Sequence, residues 1–166
     1  MGRARLPPTS FMPAPADGAA MRGTAFQYGG VTVAWDPDAG LLEMRHGPDP
    51  VLSDHVAWTL GRQMGAWIRG REGQVGVLVD GGGLGALPDD WRDYWIKVLR
   101  LGFVKGFAVL GASRAFARTA RDVAKLTRVP FRCCDAPEEA RAFLAGLPAR
   151  PWRAAPPGQP LPAAAR

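Results

Sequence analysis

VGVLVDGGGLGALPDDWRDYWIKVLRLGFVKGFAVLG, Val75 to Gly111, is the stretch whose reading decides the fold. Val75, Val77, Leu78 and Val79 form an apolar, largely β-branched run that ends in Asp80 and three glycines. Phe103, Val104, Phe107, Ala108, Val109 and Leu110 form a second such run, ending at Gly111. Runs apolar on both faces are strands covered on both sides, and a helix joining two of them is a right-handed parallel crossover. Between them, Trp91, Tyr94, Trp95, Val98 and Leu99 recur at helical spacing, with Asp89 and Asp90 favourably placed at the helix start.

Working outward, Phe26 to Val33 opens the fold. Val31, Val33 and Trp35 alternate on one face, DPDAG is a turn sequence, and LLEMRH returns as the second arm of a hairpin. Ser53 is an N-cap for a helix whose Val56, Leu60, Met64 and Trp67 share one side, and Gly70 is its expected end. Downstream, Ser113 caps a helix carrying Phe116, Ala120, Val123 and Ala124, and VPFRCC is a short strand. A last helix is expected from DAPEEARAFLAGL, with Asp135 as N-cap, Pro137 in the first turn and Glu138 at the capping-box position. The order reads ββαβαβαβα if Phe26 belongs to an extra strand. The fold class is thus a single α/β domain: a mixed sheet with an antiparallel hairpin edge and parallel strands, flanked by about four helices.

The 166 residues suffice for one domain, and 47% hydrophobic content suffices for its core. The 21 Gly and 16 Pro are unevenly spread. Residues 1–23 and 148–166, rich in Pro, Ala and, at the carboxyl end, Arg, read as disordered tails around a domain at 24–147. Of the net charge of +6, the segments before Val31 and after Leu147 hold +2 and +3, leaving +1 for the core. A high pI that belongs to the tails argues against nucleic acid as the partner. Within the core, Val31 to Asp90 holds 4 basic and 9 acidic residues while Trp91 to Leu147 holds 11 and 5, so the fold should have an acidic and a basic end.

Cys133 and Cys134 are adjacent on a strand and point to opposite faces, which excludes an ordinary disulfide or a chelating pair and fits a reducing compartment. No apolar run approaches membrane-spanning length, the amino terminus lacks a signal h-region, and Leu6 stands where myristoylation wants Ser or Thr. The arginine-rich start fits either a transit peptide or an over-extended start codon ahead of Met12 or Met21. A cytoplasmic location is expected.

GGGLGA, Gly81 to Ala86, matches G-x-G-x-x-A after a strand. Pro88, however, falls in the first turns of the helix a dinucleotide fold needs, and the next strand ends without an acid for a ribose. The better reading is a flexible loop that delays the helix until Pro88. Arg114, Arg118, Arg121, Lys125 and Arg128 make a cationic stripe opposite the apolar side of their helix, a pattern that is usually solvated surface. Beside it, Gly111, Ala112 and Ser113 offer amides at a helix start to a phosphate or carboxylate. His46 and His55 are the only histidines and have no metal-ligand spacing, so no metal or cofactor is expected.

The order of elements, the loop at Val75 to Gly85, the Trp91 helix and the closing E-E-A helix resemble the SpoIIAA-like proteins of the STAS superfamily, over nearly all of Val31 to Leu147. The resemblance implies a mixed sheet flanked by helices, and a place among anti-sigma factor antagonists, transporter regulatory domains and relatives of lipid-binding CRAL-TRIO sheets. The antagonists switch by phosphorylation of a Ser or Thr at the start of the helix after the loop. Here Gly83 to Asp90 contains no hydroxyl, so that switch has no acceptor, and Asp89 and Asp90 supply only fixed negative charge.

The leading expectation is a non-enzymatic bacterial regulatory or interaction domain that docks a protein partner through Gly83, Leu84, Leu87, Asp89, Asp90 and Arg92. The alternative is a small-molecule or lipid carrier with a cavity between the sheet and the Trp91 helix, and with Ser113, Arg114, Arg118 and Arg121 receiving an anionic headgroup. An enzyme would need His55, Ser113 and an acid brought together in one concave site.

Overall fold

A computed structural model describes residues 24–69 and 71–152. Six strands and four helices form one α/β domain: β1 (Thr24–Tyr28), β2 (Val31–Asp36), β3 (Leu41–His46), α1 (Asp54–Ile68), β4 (Val75–Asp80), α2 (Asp89–Leu99), β5 (Val104–Leu110), α3 (Arg114–Thr127), β6 (Phe131–Cys134) and α4 (Pro137–Gly146). The sheet order is β1-β2-β3-β4-β5-β6, with β1 to β3 antiparallel and the remaining pairs parallel. The mixed sheet, hairpin edge and four helices are those read from the sequence.

Phe26 does belong to a strand of its own, so the edge is a three-stranded meander. Gly29 and Gly30, at φ of 60° and 76°, supply the two left-handed positions that a tight hairpin between β1 and β2 requires.

The parallel register sorts the side chains into two faces. Val33, Met44, Val79 and Val109 lie in line on one face, and Glu43, Leu78, Ala108 and Arg132 on the other. The first face meets α1, α2 and α3 in one large apolar cluster that includes Leu60, Trp91 and Phe116. All three helices sit there because three crossovers of one hand, advancing in one direction across the sheet, must share a face. On the second face, among the described residues, α4 is the helix that packs, burying Ala140 and Leu144 against Leu41, Leu78, Ala108 and Cys134. Gly76 and Gly106, partners across β4 and β5, leave room for this approach: side chains there would run into Leu144 and Leu147.

Ser53 Oγ accepts from the Val56 amide at 3.3 Å and Ser113 Oγ from the Phe116 amide at 3.1 Å, as expected of the two caps. The cap of α4 differs from expectation. Pro137 at the first helical position forces the residue before it into extended backbone, so Ala136, at φ −126° and ψ 143°, becomes the N-cap in place of Asp135, with no side-chain cap bond. Arg69 leaves the helical path after Ile68, and Gly70, the expected end of α1, lies outside the described residues.

Beyond Leu147 the chain keeps contact with the domain through Trp152. Trp152 packs tilted against Phe103 at 5.7 Å between ring centroids, its indole N–H donates to the Leu101 carbonyl at 3.3 Å, and its own carbonyl accepts from the Gly73 amide. An indole of this area, with its N–H placed, belongs to the core that it covers. The expected amino-terminal tail, residues 1–23, and residues 153–166 lie outside the described residues.

Candidate functional site

Between the sheet and α2 lies a cavity of about 90 Å³, neither sealed nor a flat depression. Its floor is Met44, His46, Val79 and Val109 from the strands, and its roof is Trp91, Trp95 and Val98 from α2. Phe116, Ala120 and Val123 close one side from α3, and Leu87 and Arg92 stand at the loop end. Alternation explains the floor, since Leu42, Met44 and His46 all point to the helix-covered face of β3. Helical spacing explains the roof, since Trp91, Trp95 and Val98 fall on one side of α2.

Almost every lining atom is apolar, and the exceptions are informative. His46 Nδ1 lies 2.8 Å from the Asp80 backbone carbonyl, which can only accept, so Nδ1 carries the proton. The other ring nitrogen, Nε2, is then an acceptor; it is buried and has no hydrogen-bond partner among the described residues. The indole N–H of Trp95 is likewise buried without a partner. Both rings stand edge-on to Trp91, at 6.1 Å for His46 and 5.7 Å for Trp95. Burial lowers the pKa of His46 below its ordinary value, against the smaller raising effects of the Asp80 carbonyl and carboxylate, so the ring is neutral at pH 7.

The glycine loop folds onto the cavity wall. The Asp80 carboxylate accepts from the Gly82 amide at 3.0 Å, and the Leu84 amide donates to the Gly81 carbonyl at 3.0 Å. This turn drives Leu84 into the core, where it is 6% exposed, and Leu87 packs partly buried against the same cluster. Of the residues expected to dock a partner, the structure turns Leu84 and Leu87 inward and leaves Gly83, Asp89 and Asp90 at the surface. Arg92 is held by Asp89 at 2.8 Å and Asp93 at 2.9 Å, and these carboxylates, with the hydrogen bond that Arg92 donates to Asp93 foremost, raise its pKa. Asp90 is engaged as well, accepting from the Asp54 amide at 3.2 Å and so joining α2 to the start of α1.

The expected anion site divides differently. Ser113, Arg114, Arg118 and Arg121 are exposed on the far side of α3, whereas only the apolar side of that helix lines the cavity. A molecule in the cavity therefore does not meet the arginine stripe. His55 and Ser113 do not come together either: His55 bonds Tyr28 on β1 at 3.2 Å while Ser113 follows β5, four strand spacings or about 19 Å across the sheet. Cys133 is exposed and Cys134 buried, as alternation requires, and burial raises both thiol pKa values. Among the described residues no group of three or more His, Cys, Asp or Glu is placed to hold a metal ion, and no helix is long and apolar enough to cross a membrane.

His46 and Trp95 were not singled out as site residues from sequence. A signal was present in LLEMRH, where a histidine follows Leu42 and Met44 on the buried parity of the strand. Comparison of the chain with protein families, with curated proteins and with solved structures yields no match.

Proposed function

We propose that this chain is a STAS-like, non-enzymatic domain that binds a small apolar molecule between its sheet and α2. The observation that carries this reading is the cavity under Trp91 and Trp95, apolar almost throughout and bounded by three helices and the sheet. Protein interiors are packed to crystal density, and small-molecule sites are concave, mostly apolar and equipped with few polar groups. The inward turn of Leu87 supports it further, because this loop residue is part of the cavity wall.

The STAS-like part of the reading rests on the element order, the meander edge and the Trp91 helix after a glycine loop. The regulatory role is the one that this resemblance implies, with ligand occupancy in place of phosphorylation as the variable that a partner would read. A second reading, a protein-docking domain, is favoured by the exposed Gly83, Asp89 and Asp90 around the Arg92 ion pairs.

Native mass spectrometry of the full chain purified from its own host, under gentle and denaturing conditions, tests both. A small molecule released on denaturation supports the ligand reading. A bare chain counts against it, and a co-purifying protein favours the docking domain.

A further inference from the structure

We propose that the cavity selects an uncharged, largely apolar molecule that carries both a hydrogen-bond donor and an acceptor, such as an alcohol or a phenol, with the donor serving His46 Nε2 and the acceptor serving the Trp95 indole N–H. This rests on the ligand-binding reading and adds the chemistry of the ligand to it. Because Nδ1 donates to the Asp80 carbonyl, Nε2 of the neutral ring can only accept, and an indole N–H can only donate. Both atoms are buried, have no hydrogen-bond partner among the described residues, and belong to side chains that line the cavity. Buried polar groups in native proteins are nearly always satisfied, so two orphans of opposite sense on one apolar cavity define a complementary pair of ligand groups.

Charge is excluded by the same surroundings. An anion brings no proton to Nε2, and the nearest cation, Arg92, is already paired with both Asp89 and Asp93. A cation would enter an apolar space with no carboxylate in its lining. Size is limited too, since a cavity of about 150 Å³ holds benzene and this one measures about 90 Å³. A compact molecule, or one end of a longer molecule entering past Leu87 and Arg92, fits that space.

The test uses propan-1-ol and n-butane, of equal heavy-atom count, smaller than benzene and unlike in hydrogen bonding, titrated into the full chain at pH 7 with the indole N–H resonances followed by NMR. Trp95→Phe assigns the Trp95 signal. The expected result is that propan-1-ol binds about tenfold more tightly than n-butane and shifts the Trp95 indole resonance, and that the preference vanishes in Trp95→Phe and in His46→Leu while n-butane binding is retained. Equal affinity for the two probes in the wild type overturns this inference and leaves the apolar ligand site standing. Failure of both probes to bind overturns the ligand reading itself. If His46→Leu does not fold, Trp95→Phe and the wild-type preference still decide.

Discussion

Arg141 of α4 donates through Nη2 to Glu43 Oε1 of β3 at 2.6 Å, across 98 residues of sequence. Glu43 is the buried charged residue on the sparsely covered face of the sheet, and its second oxygen accepts from Arg45 at 3.1 Å. Breaking the longer-range pair should therefore loosen α4 as a unit. Arg141→Ala is expected to destabilise the fold by about 1 kcal/mol, more than Arg45→Ala, because each leaves a Glu43 oxygen unpaired but only Arg141 joins α4 to β3. Urea unfolding of the two single variants and the double variant measures this. Equal losses would mean that the contact to α4 contributes nothing of its own.

Gly61 on α1 faces Tyr94 on α2 so closely that a Cβ at Gly61 would overlap the tyrosine hydroxyl. Helix propensity favours alanine over glycine by about 1 kcal/mol. Overpacking here should outweigh that gain, so Gly61→Ala is expected to lose about 1–3 kcal/mol. Tyr94→Phe should recover part of the loss, visible as non-additivity in a double-mutant cycle.

Burial pushes the Tyr94 phenol up to about 12, well above its ordinary value near 10. An acid whose pKa rises on folding keeps its proton in the native state while the unfolded chain releases it. Stability should therefore fall as pH climbs from about 10 to about 12. Alkaline unfolding followed by circular dichroism should show this fall, and Tyr94→Phe should flatten it.

For His46 the sign is opposite in pH. Its native pKa is depressed, so its contribution is fully present above about 6.5 and is lost as pH falls towards the lower native value, where the unfolded chain takes up the proton first. Denaturant stability of the wild type should drop more steeply between pH 7.5 and 5 than that of His46→Leu. Parallel pH profiles would place the ring in contact with water.

Trp152 anchors the chain after α4 through its ring on Phe103 and its N–H on the Leu101 carbonyl. Trp152→Ala, or a chain ending at Leu147, should lose about 2 kcal/mol of stability. An unchanged midpoint in thermal unfolding would show the segment to be dispensable.

The fold was legible in the sequence because its signals are local and repeated. The apolar runs of β4 and β5, the turn chemistry at Pro37 and Gly40, and the Ser53 and Ser113 caps each declare their own element. The cap of α4 was misread because Pro137 restricts its neighbour, a constraint stronger than the hydrogen-bonding preference of Asp135. The site was harder to read because it is made by register. Nothing adjacent in sequence tells His46 that Trp95 lies over the same cavity, since that depends on β3 pairing with β4 and on α2 crossing above both. Leu84 was expected at the surface because a glycine loop is usually solvated; one amide bond back to Gly81 turns it inward.

The sheet order matches the order of synthesis, and no strand has to slip between two that are already paired. Each strand leaving the ribosome can add to the edge made just before it, beginning with the meander β1-β2-β3, and each crossover helix then covers the seam it has just closed. The growing edge is a row of unpaired amides and carbonyls until its successor arrives, and such edges recruit other chains. In this protein every intermediate edge awaits a strand only one helix away in sequence. The last of them, β5, is capped by the four-residue β6, and α4 is held against the second face by its buried Ala140 and Leu144 and by the Arg141–Glu43 pair.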